Sequence, residues 1–256
     1  MFSITDDGPI RTLTIDNPGR RNAVPREGWI RLAELLGEFG ESGQRVLVIT
    51  GAGEDFCSGA DLGGDMAAMT STVTRYEWMQ HVAGATRALH DLTKPTVAAV
   101  DGVAVGAGMN LALGCDVVVA TDRARFSEIF VKRGLTVDFG GTWLLPRLIG
   151  LARAKELALT GRMLVGEEAR DYGLVAKVVT PADLMTEAAG VAAELAAGAP
   201  IAQRFIKAGL DRSLDMSFDE ALEYESLAQV TCLGSEDVVE GITSFIEKRP
   251  PDFQGK

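Results

Sequence analysis

Three short runs of small and branched apolar residues, separated by segments with helical spacing, constrain the fold of this 256-residue chain more than any other feature. The runs lie at residues 46–50, 96–100 and 116–120. A run this short without polar alternation is typical of a strand buried on both faces. The intervening stretches are long enough for crossover helices, so we expect the strands to pair in parallel with right-handed connections. The sequence therefore predicts an α/β fold.

Further elements follow from the spacing of apolar residues along the chain. The alternation in residues 10–15 predicts another strand, and apolar residues three or four apart between Pro25 and Phe39 predict a helix. From about Glu167 to the end the spacing is almost entirely helical, apart from residues 175–179. We therefore expect an α/β core over residues 1–195 and a C-terminal helical region over residues 196–256.

The charge and the cysteine content narrow the possible partners and the compartment. A net charge of -11 argues against nucleic acid or an anionic membrane as the main partner. The first residues lack the basic and apolar segments of a signal peptide, and no apolar stretch is long enough to span a bilayer. The three cysteines stand at unrelated spacings, which suits reduced thiols and matches no metal-ligand pattern. We expect a soluble protein of the cytoplasm.

Two loops that follow predicted strands are both rich in glycine and alanine. Residues 56–62 follow the strand at 46–50, and residues 105–110 follow the strand at 96–100. Small residues let the backbone approach a ligand closely, and free amides at the start of a helix attract negative charge. Because parallel strands end at the same edge of a sheet, the two loops could direct two N–H groups at one oxygen. Such an arrangement is an oxyanion hole.

Other interpretations of these loops exist. Each loop taken alone is more often an ordinary tight turn between a strand and a helix. A dinucleotide-binding loop fits less well, because Leu111 stands where that motif needs its last glycine. A phosphate-binding P-loop is excluded, since the chain contains no Gly-Lys-Ser/Thr triplet.

Three longer motifs occur in order along the chain: DFCSGADL at residues 55–62, AAVDGVAVGAGMNLALGCDVVVAT at residues 98–121, and FGGTWLLPRLIG at residues 139–150. The segment NPGRRNAV precedes them at residues 17–24, and Phe245-Ile246-Glu247-Lys248-Arg249 follows them. In order and spacing the whole set resembles the enoyl-CoA hydratase/isomerase, or crotonase, superfamily. The resemblance implies a crotonase-like spiral of ββα turns with a C-terminal helical trimerisation region. It also implies homotrimers or paired trimers, an acyl-CoA substrate, and no metal or cofactor beyond the CoA carried by that substrate.

The resemblance assigns roles to individual residues. The main-chain N–H groups of Cys57 and Ala107 would form the oxyanion hole, where losing one donor typically costs ~3 kcal/mol of transition-state stabilisation. Family members commonly have glycine in place of Ala107, and alanine still supplies the amide. The thiol of Cys57 is expected to be buried and without a role. Residues implied to contact CoA or line the substrate site are Arg21, Ala23, Val24, Ala60, Asp61, Leu62, Gly106, Phe130, Phe245 and Lys248.

The chain departs from the hydratase branch at the two positions that carry its acid–base chemistry. Hydratases of the family place a glutamate on each side of the C2–C3 bond; here those positions are Asn110 and Phe130, which transfer no proton. Asp138 instead falls where dehalogenases, naphthoyl-CoA synthases and the ring-epoxide isomerase of phenylacetate breakdown keep a catalytic aspartate. The run GLTVDFGGTWLLPRLIG looks closest to the last of these. Burial among aromatic side chains could raise the pKa of Asp138.

The leading hypothesis is double-bond or ring isomerisation of an unsaturated acyl-CoA with Asp138 as the single acid and base. An enoyl-CoA hydratase in which Asp138 or Glu128 replaces the missing glutamates stays open, as does a non-catalytic acyl-CoA-binding member. Asp138 could also be the N-cap of the helix that contains Trp143. Residues 65–90 are expected to form part of the acyl pocket.

Overall fold

Strands and helices alternate through the first two thirds of the computed structural model, which describes residues 1–65 and 70–256. Residues 66–69, part of the predicted pocket segment 65–90, lie outside the described residues. The strands are β1 (Phe2–Asp7), β2 (Ile10–Ile15), β3 (Val46–Gly51), β4 (Thr96–Val100), β5 (Val103–Val105), β6 (Val117–Thr121), β7 (Arg125–Ser127), β8 (Leu164–Val165) and β9 (Lys177–Val179).

The helices become continuous after β9. They are α1 (Arg26–Glu41), α2 (Leu62–Asp65), α3 (Thr72–His90), α4 (Ala107–Leu113), α5 (Gly141–Thr160), α6 (Gly166–Asp171), α7 (Leu184–Ala196), α8 (Pro200–Arg212), α9 (Phe218–Leu233) and α10 (Glu236–Glu247). Short 3-10 turns cover Pro18–Arg20, Ile129–Arg133 and Ser213–Asp215. None of the helices within residues 1–65 and 70–256 is long and apolar enough to cross a bilayer.

The larger sheet has the order β1-β2-β3-β4-β6-β9. β1 and β2 form an antiparallel hairpin, and every later neighbour pairs in parallel. Both faces of the central strands are covered, as their apolar composition predicted. In β4, Ala98 and Val100 pack into the core with α1 and α3, whereas Val97 and Ala99 face the other way, toward α7. The predicted α/β architecture is confirmed.

A second, smaller sheet was not predicted. It has the order β5-β7-β8, and its strands are two or three residues long. Residues 103–105, which lead into the second glycine-rich loop, pair in parallel with β7. Strands this short carry too few residues for alternation to be detected. This small sheet matters because one of the predicted oxyanion loops lies against β5.

The C-terminal helices differ from the rest in how little they bury. α8 and α9 contain no fully buried residue, and in α10 only Asp237 and Ser244 are buried. The helices surround a cavity of about 1020 Å³. Large apolar side chains exposed along these helices and on the 3-10 turn between α8 and α9 include Ile206, Leu210, Leu214, Phe218, Leu227, Val230, Val239, Phe245 and Ile246. An apolar surface of this extent marks an interaction site in most proteins.

Candidate active site

The loop after β3 runs alongside β5, and this pairing decides which of its amides are free. Cys57 pairs with Ala104 in a parallel bridge. The N–H of Cys57 donates to the carbonyl of Val103 at 2.9 Å, and the N–H of Val105 donates to the carbonyl of Cys57 at 3.1 Å. The prediction that the Cys57 amide is an oxyanion donor is therefore wrong, because strand pairing already uses that amide.

Two other amides at this place are free. Neither the N–H of Ala60 nor that of Ala107 donates a hydrogen bond to any residue that the structure describes. Ala107 is the first residue of α4, where a helical N–H has no partner within the helix. Ala60 lies opposite Val24 in a parallel bridge, but the bonds of that bridge run from Val24 to Gly59 and from Asp61 to Val24. The pairing thus leaves the N–H of Ala60 unused.

The two free amides are close to each other. A Cβ placed on Gly59 would lie 3.3 Å from the nitrogen of Ala107 and 2.9 Å from the carbonyl oxygen of Val105. Gly59 also has φ +87°, a conformation that favours glycine. Since the nitrogen of Ala60 is joined to Gly59 through one carbonyl carbon, the N–H groups of Ala60 and Ala107 are neighbours. Ala60 was predicted as a CoA contact, not as a donor.

Residues 21–24 are held against this loop. The N–H of Val24 donates to the carbonyl of Gly59 at 2.8 Å, and the N–H of Asp61 donates to the carbonyl of Val24 at 2.9 Å. Asn22, which sequence reasoning did not single out, fixes the turn: its Nδ2 donates to the carbonyls of Ala52 and of Asp55. Its φ of +57° is one that asparagine tolerates better than most residues. That tolerance is the signal that could have identified it.

An ion pair between Arg20 and Asp61 lies on the outer side of residues 21–24 and the loop they contact. Arg20 Nη2 lies 2.8 Å from Asp61 Oδ1, and the hydrogen bond from Arg20 lowers the pKa of Asp61 below its ordinary value. The structure thus brings together six of the residues predicted to contact CoA, namely Arg21, Ala23, Val24, Ala60, Asp61 and Leu62. Phe245 and Lys248 lie elsewhere, at the end of α10, where Phe245 lines the C-terminal cavity.

Gly106 and Phe130 border the amide of Ala107. Gly106 has φ +58°, and its N–H donates to the carbonyl of Ser127 at 2.9 Å. A Cβ at Gly106 would lie 3.5 Å from Phe130 Cζ, so the ring of Phe130 packs beside the start of α4. Phe130 is buried. The position that carries a glutamate in hydratases therefore forms an apolar wall here.

A cluster of one amide and two carboxyl groups lies one turn further along α4. Asn110 Nδ2 donates to the main-chain carbonyl of Asp138 at 2.9 Å and to Glu128 Oε2 at 3.3 Å. A Cβ on Gly141 would lie 2.3 Å from Asn110 Nδ2, so α5 begins directly against this amide. Asn110 and Glu128 are fully buried, whereas Asp138 is partly exposed. We name Asn110, Glu128 and Asp138 the carboxyl cluster.

Burial shifts both acids of the carboxyl cluster toward neutrality. It raises the pKa of Asp138 to about 7. The pKa of Glu128 is raised to about 8, first by burial and further by the charge of Asp138, while the hydrogen bond from Asn110 opposes the shift. The side chain of Asp138 is not a helix cap, since the N-cap of α5 is Gly140, without a side-chain cap bond. Asp138 is therefore a carboxyl group that can exchange a proton near neutral pH.

A cavity of about 250 Å³ adjoins the carboxyl cluster. Trp143 and Leu144 line both it and a neighbouring cavity of about 500 Å³. His90 lies against Trp143, with 5.3 Å between the ring centroids. The smaller cavity is lined by Thr86, Arg87, Leu89, His90, Asn110, Gly114, Phe139, Gly140, Trp143 and Leu144. Across the two described ranges, no group of three or more His, Cys, Asp or Glu residues is placed to hold a metal ion.

Known proteins are similar to this chain along nearly its whole length. A family model described as enoyl-CoA hydratase/isomerase matches residues 6–256. Over 246 residues the chain is 37% identical to the short-chain-enoyl-CoA hydratase of Clostridium acetobutylicum, covering 95% of this chain and 93% of that protein. Over 255 residues it is 38% identical to the 1,2-epoxyphenylacetyl-CoA isomerase of Escherichia coli, with coverage of 96% and 95%.

Solved structures extend the similarity to the fold. An enoyl-CoA hydratase from Polaromonas sp. JS666 matches with a TM-score of 0.95 at 33% identity, covering 99% of each chain. The predicted crotonase-like fold is confirmed.

Proposed function

The chain belongs to the enoyl-CoA hydratase/isomerase family, and we propose that it isomerises an unsaturated or ring-derived acyl-CoA thioester. In this proposal the N–H groups of Ala60 and Ala107 hold the thioester oxygen, and Asp138 moves the proton. The observation that carries it is a titratable, partly exposed carboxyl whose main chain is bonded to Asn110, one turn of α4 from the free amide of Ala107. The two hydratase glutamate positions hold Asn110 and Phe130.

The amides act on the charge that forms during the reaction. When a proton leaves the carbon at C2 or C4, the electron pair of the C–H bond delocalises onto the thioester oxygen as a dienolate. Two preorganised N–H donors stabilise that oxygen more than the neutral carbonyl, and so they lower the barrier. Gly59 supports this role, because any Cβ there would come within 3.3 Å of the Ala107 nitrogen.

Asp138 would take up this proton and return it to another carbon of the same dienolate. The double bond moves, and no water is consumed. A pKa of about 7 suits both halves of the step, because the carboxylate must accept a proton and the acid must release it at one working pH. Loss of the proton-transferring group typically costs ~10²-fold or more in rate.

The acyl group would occupy the 250 Å³ cavity lined by Asn110 and by Phe139, the residue that follows Asp138. A cavity of about 150 Å³ is enough to hold benzene. The space bounded by Phe139 and Trp143 therefore suits a ring or a short chain better than a long one. This size supports an acyl group derived from an aromatic ring.

Hydration is the second candidate function, because a similar protein is named short-chain-enoyl-CoA hydratase and because Glu128 supplies a second carboxyl group near Asp138. Water addition needs carboxyl groups that reach the substrate. Glu128 is fully buried behind Asn110, which favours isomerisation. A non-catalytic acyl-CoA-binding role is the third candidate.

We further propose that residues 196–256 form an assembly region through which copies of this chain associate as trimers or paired trimers. The exposed apolar side chains of α8 to α10 support an association of this kind. Phe245 and Lys248 would then contact CoA bound at the loops of the same or a neighbouring copy. Light scattering after gel filtration would measure the assembly, and a monomer at micromolar concentration would contradict it.

One set of assays separates the three candidate functions. The wild-type protein and the Asp138→Asn variant are each assayed with a 3-enoyl-CoA and with crotonyl-CoA. The matched control is Asp122→Asn, which makes the same change at an exposed residue in a turn. We expect wild type to shift the 3-enoyl double bond and to hydrate crotonyl-CoA poorly, and Asp138→Asn to lose ~10²-fold or more of the isomerisation. Unchanged activity in Asp138→Asn would overturn the role of Asp138. CoA thioester binding without turnover would favour the non-catalytic role.

A further inference from the structure

Glu128 is a buried acid that the proposed reaction does not use. Its side chain is 0% exposed, and the one hydrogen bond that the described residues give it comes from Asn110, at 3.3 Å to Oε2. The other carboxyl oxygen, Oε1, is buried without a partner in the described part of the chain, as are Asn110 Oδ1 and Asp138 Oδ1. The Asn110 amide thus serves one oxygen of Glu128 and the main-chain carbonyl of Asp138, while three side-chain oxygens beside it have no partner among the described residues.

We propose that Glu128 is a positioning residue that works as a neutral acid: through Asn110 it fixes the main chain that carries Asp138, and its proton keeps a second negative charge out of the site. The proposal rests on the proposed function in taking Asp138 as the base. It adds a residue that contacts no substrate, and whose protonation sets the upper pH limit of the reaction.

The geometry of the amide carries the first half of this proposal. Asn110 Nδ2 is a two-hydrogen donor, and it bonds both Glu128 Oε2 and the carbonyl of Asp138. The carbonyl of Asp138 also accepts from the N–H of Gly141 at 3.0 Å. Glu128 therefore orients the amide that holds the Asp138 backbone at the start of α5. Removing the acceptor at Glu128 would leave that amide with one hydrogen bond instead of two.

Burial and the charge of a second acid carry the other half. A buried carboxylate is stable only with several donors or a cation, and the described residues give Glu128 a single donor, the amide of Asn110. Two neighbouring carboxyl groups do not both ionise readily, and the partly exposed one, Asp138, loses its proton first. Glu128 then keeps its proton while Asp138 works as the base.

Other charged groups lie on the elements around the carboxyl cluster. Arg87 and His90 are on α3, Lys132 and Arg133 are on the 3-10 turn after Glu128, and Arg147 is on α5. The pKa of Glu128 is set instead by burial, by Asn110 and by Asp138. We expect these five groups to leave the titration of Glu128 unchanged.

The test compares Glu128→Gln, which is always neutral and keeps an acceptor for Asn110, with Glu128→Leu, which has a similar shape and no acceptor. For Glu128→Gln we expect a smaller loss of kcat at pH 7 than for Glu128→Leu, because the acceptor for Asn110 is kept. For Glu128→Leu we expect kcat to fall on the order of tenfold with little change in KM, because a misplaced base loses rate rather than binding. Equal losses of kcat in the two variants would overturn the positioning role.

The pH dependence of kcat tests the role of the proton on Glu128. In wild type we expect kcat to decline above about pH 8, as Glu128 ionises and its charge opposes the dienolate. Glu128→Gln should lack this alkaline decline. An identical decline in both proteins would overturn the role of the proton.

A third measurement needs no activity, so it separates failure of this inference from failure of the proposed function. The folded pKa of Glu128, about 8, lies above its ordinary 4.5. Wild type therefore binds a proton that the unfolded chain releases, and its stability falls as pH rises through this window. Relative to Glu128→Gln, the folding constant of wild type should fall close to tenfold per pH unit between about 5 and 8. A flat ratio from denaturant titrations would overturn the inference, whatever reaction the enzyme catalyses.

Discussion

The two halves of the proposed site are built from different parts of the polypeptide. The oxyanion pair, Ala60 and Ala107, consists of main-chain N–H groups that strand pairing and a helix start leave unused. The carboxyl cluster, Asn110, Glu128 and Asp138, consists of side chains. A main-chain donor survives most substitutions at its own position, whereas a side-chain acid is lost with a single one. Family members can therefore share the oxyanion pair and differ in reaction through the cluster.

We expect the largest loss of activity from removing a main-chain donor of the oxyanion pair. Ala107→Pro deletes the N–H of the first residue of α4, a position where proline fits helical geometry. We expect kcat to fall by about 10²–10³-fold, as for loss of an oxyanion donor elsewhere. Ala107→Ser keeps the N–H and should stay near wild type in steady-state kinetics. Comparable losses in the two variants would mean that the side chain, not the amide, matters at this position.

The pH dependence of activity, the next largest effect, distinguishes the carboxyl cluster from the oxyanion pair. Amides do not titrate, so the acid limb belongs to Asp138, whose pKa is about 7. Because the base must be ionised, kcat/KM should fall about tenfold per pH unit below about 7 and stay level between about 7 and 8. Stopped assays from pH 5 to 8 measure this limb. An acid limb centred near 4, the ordinary range of an exposed aspartate, would contradict the assignment.

A smaller effect concerns the wall between the two cavities. Trp143 lines both, so Trp143→Ala should join them and admit longer acyl chains. We expect the ratio of kcat/KM for a long-chain over a short-chain 3-enoyl-CoA to rise roughly tenfold. Leu148→Ala, which changes only the larger cavity, is the matched control. No change in the ratio for Trp143→Ala would place the acyl group elsewhere.

The smallest expected effect comes from substitutions at two positions of the loop that carries Ala60. Cys57 has a fully buried thiol and a main-chain N–H already bonded to Val103, so Cys57→Ala should leave kcat/KM within about twofold of wild type. Gly59→Ala, two residues on, would bring a Cβ to 2.9 Å from the Val105 carbonyl and should lower activity more. A Cys57→Ala variant with the larger loss would contradict the assignment of donors.

The sequence predicted the main sheet well because its central strands are buried on both faces, which leaves a strong apolar pattern in β3 and β4. It did not predict the donor at Ala60. Choosing between Cys57 and Ala60 required the pairing of Cys57 with β5, a three-residue strand too short to recognise.

Tertiary contacts explain what else the sequence could not predict. The motif pointed to Asp138 through the resemblance, but burial alone supplied its raised pKa. Glu128 stood two residues from a family position without any pattern of its own, and its contact with Asn110 joins α4 to the segment after β7. Contacts between distant segments leave no local trace in the spacing of residues. The contributions of Phe245 and Lys248 to CoA binding stay a prediction.

The most direct measurement of the central claim is a crystal structure with a bound acyl-CoA analogue that mimics the dienolate. We expect its thioester oxygen to lie about 2.7–3.1 Å from the main-chain nitrogens of both Ala60 and Ala107. The carboxyl group of Asp138 should face the carbon that loses the proton. A thioester oxygen bonded to neither amide, with the N–H of Cys57 released from Val103 to bind it instead, would contradict the account.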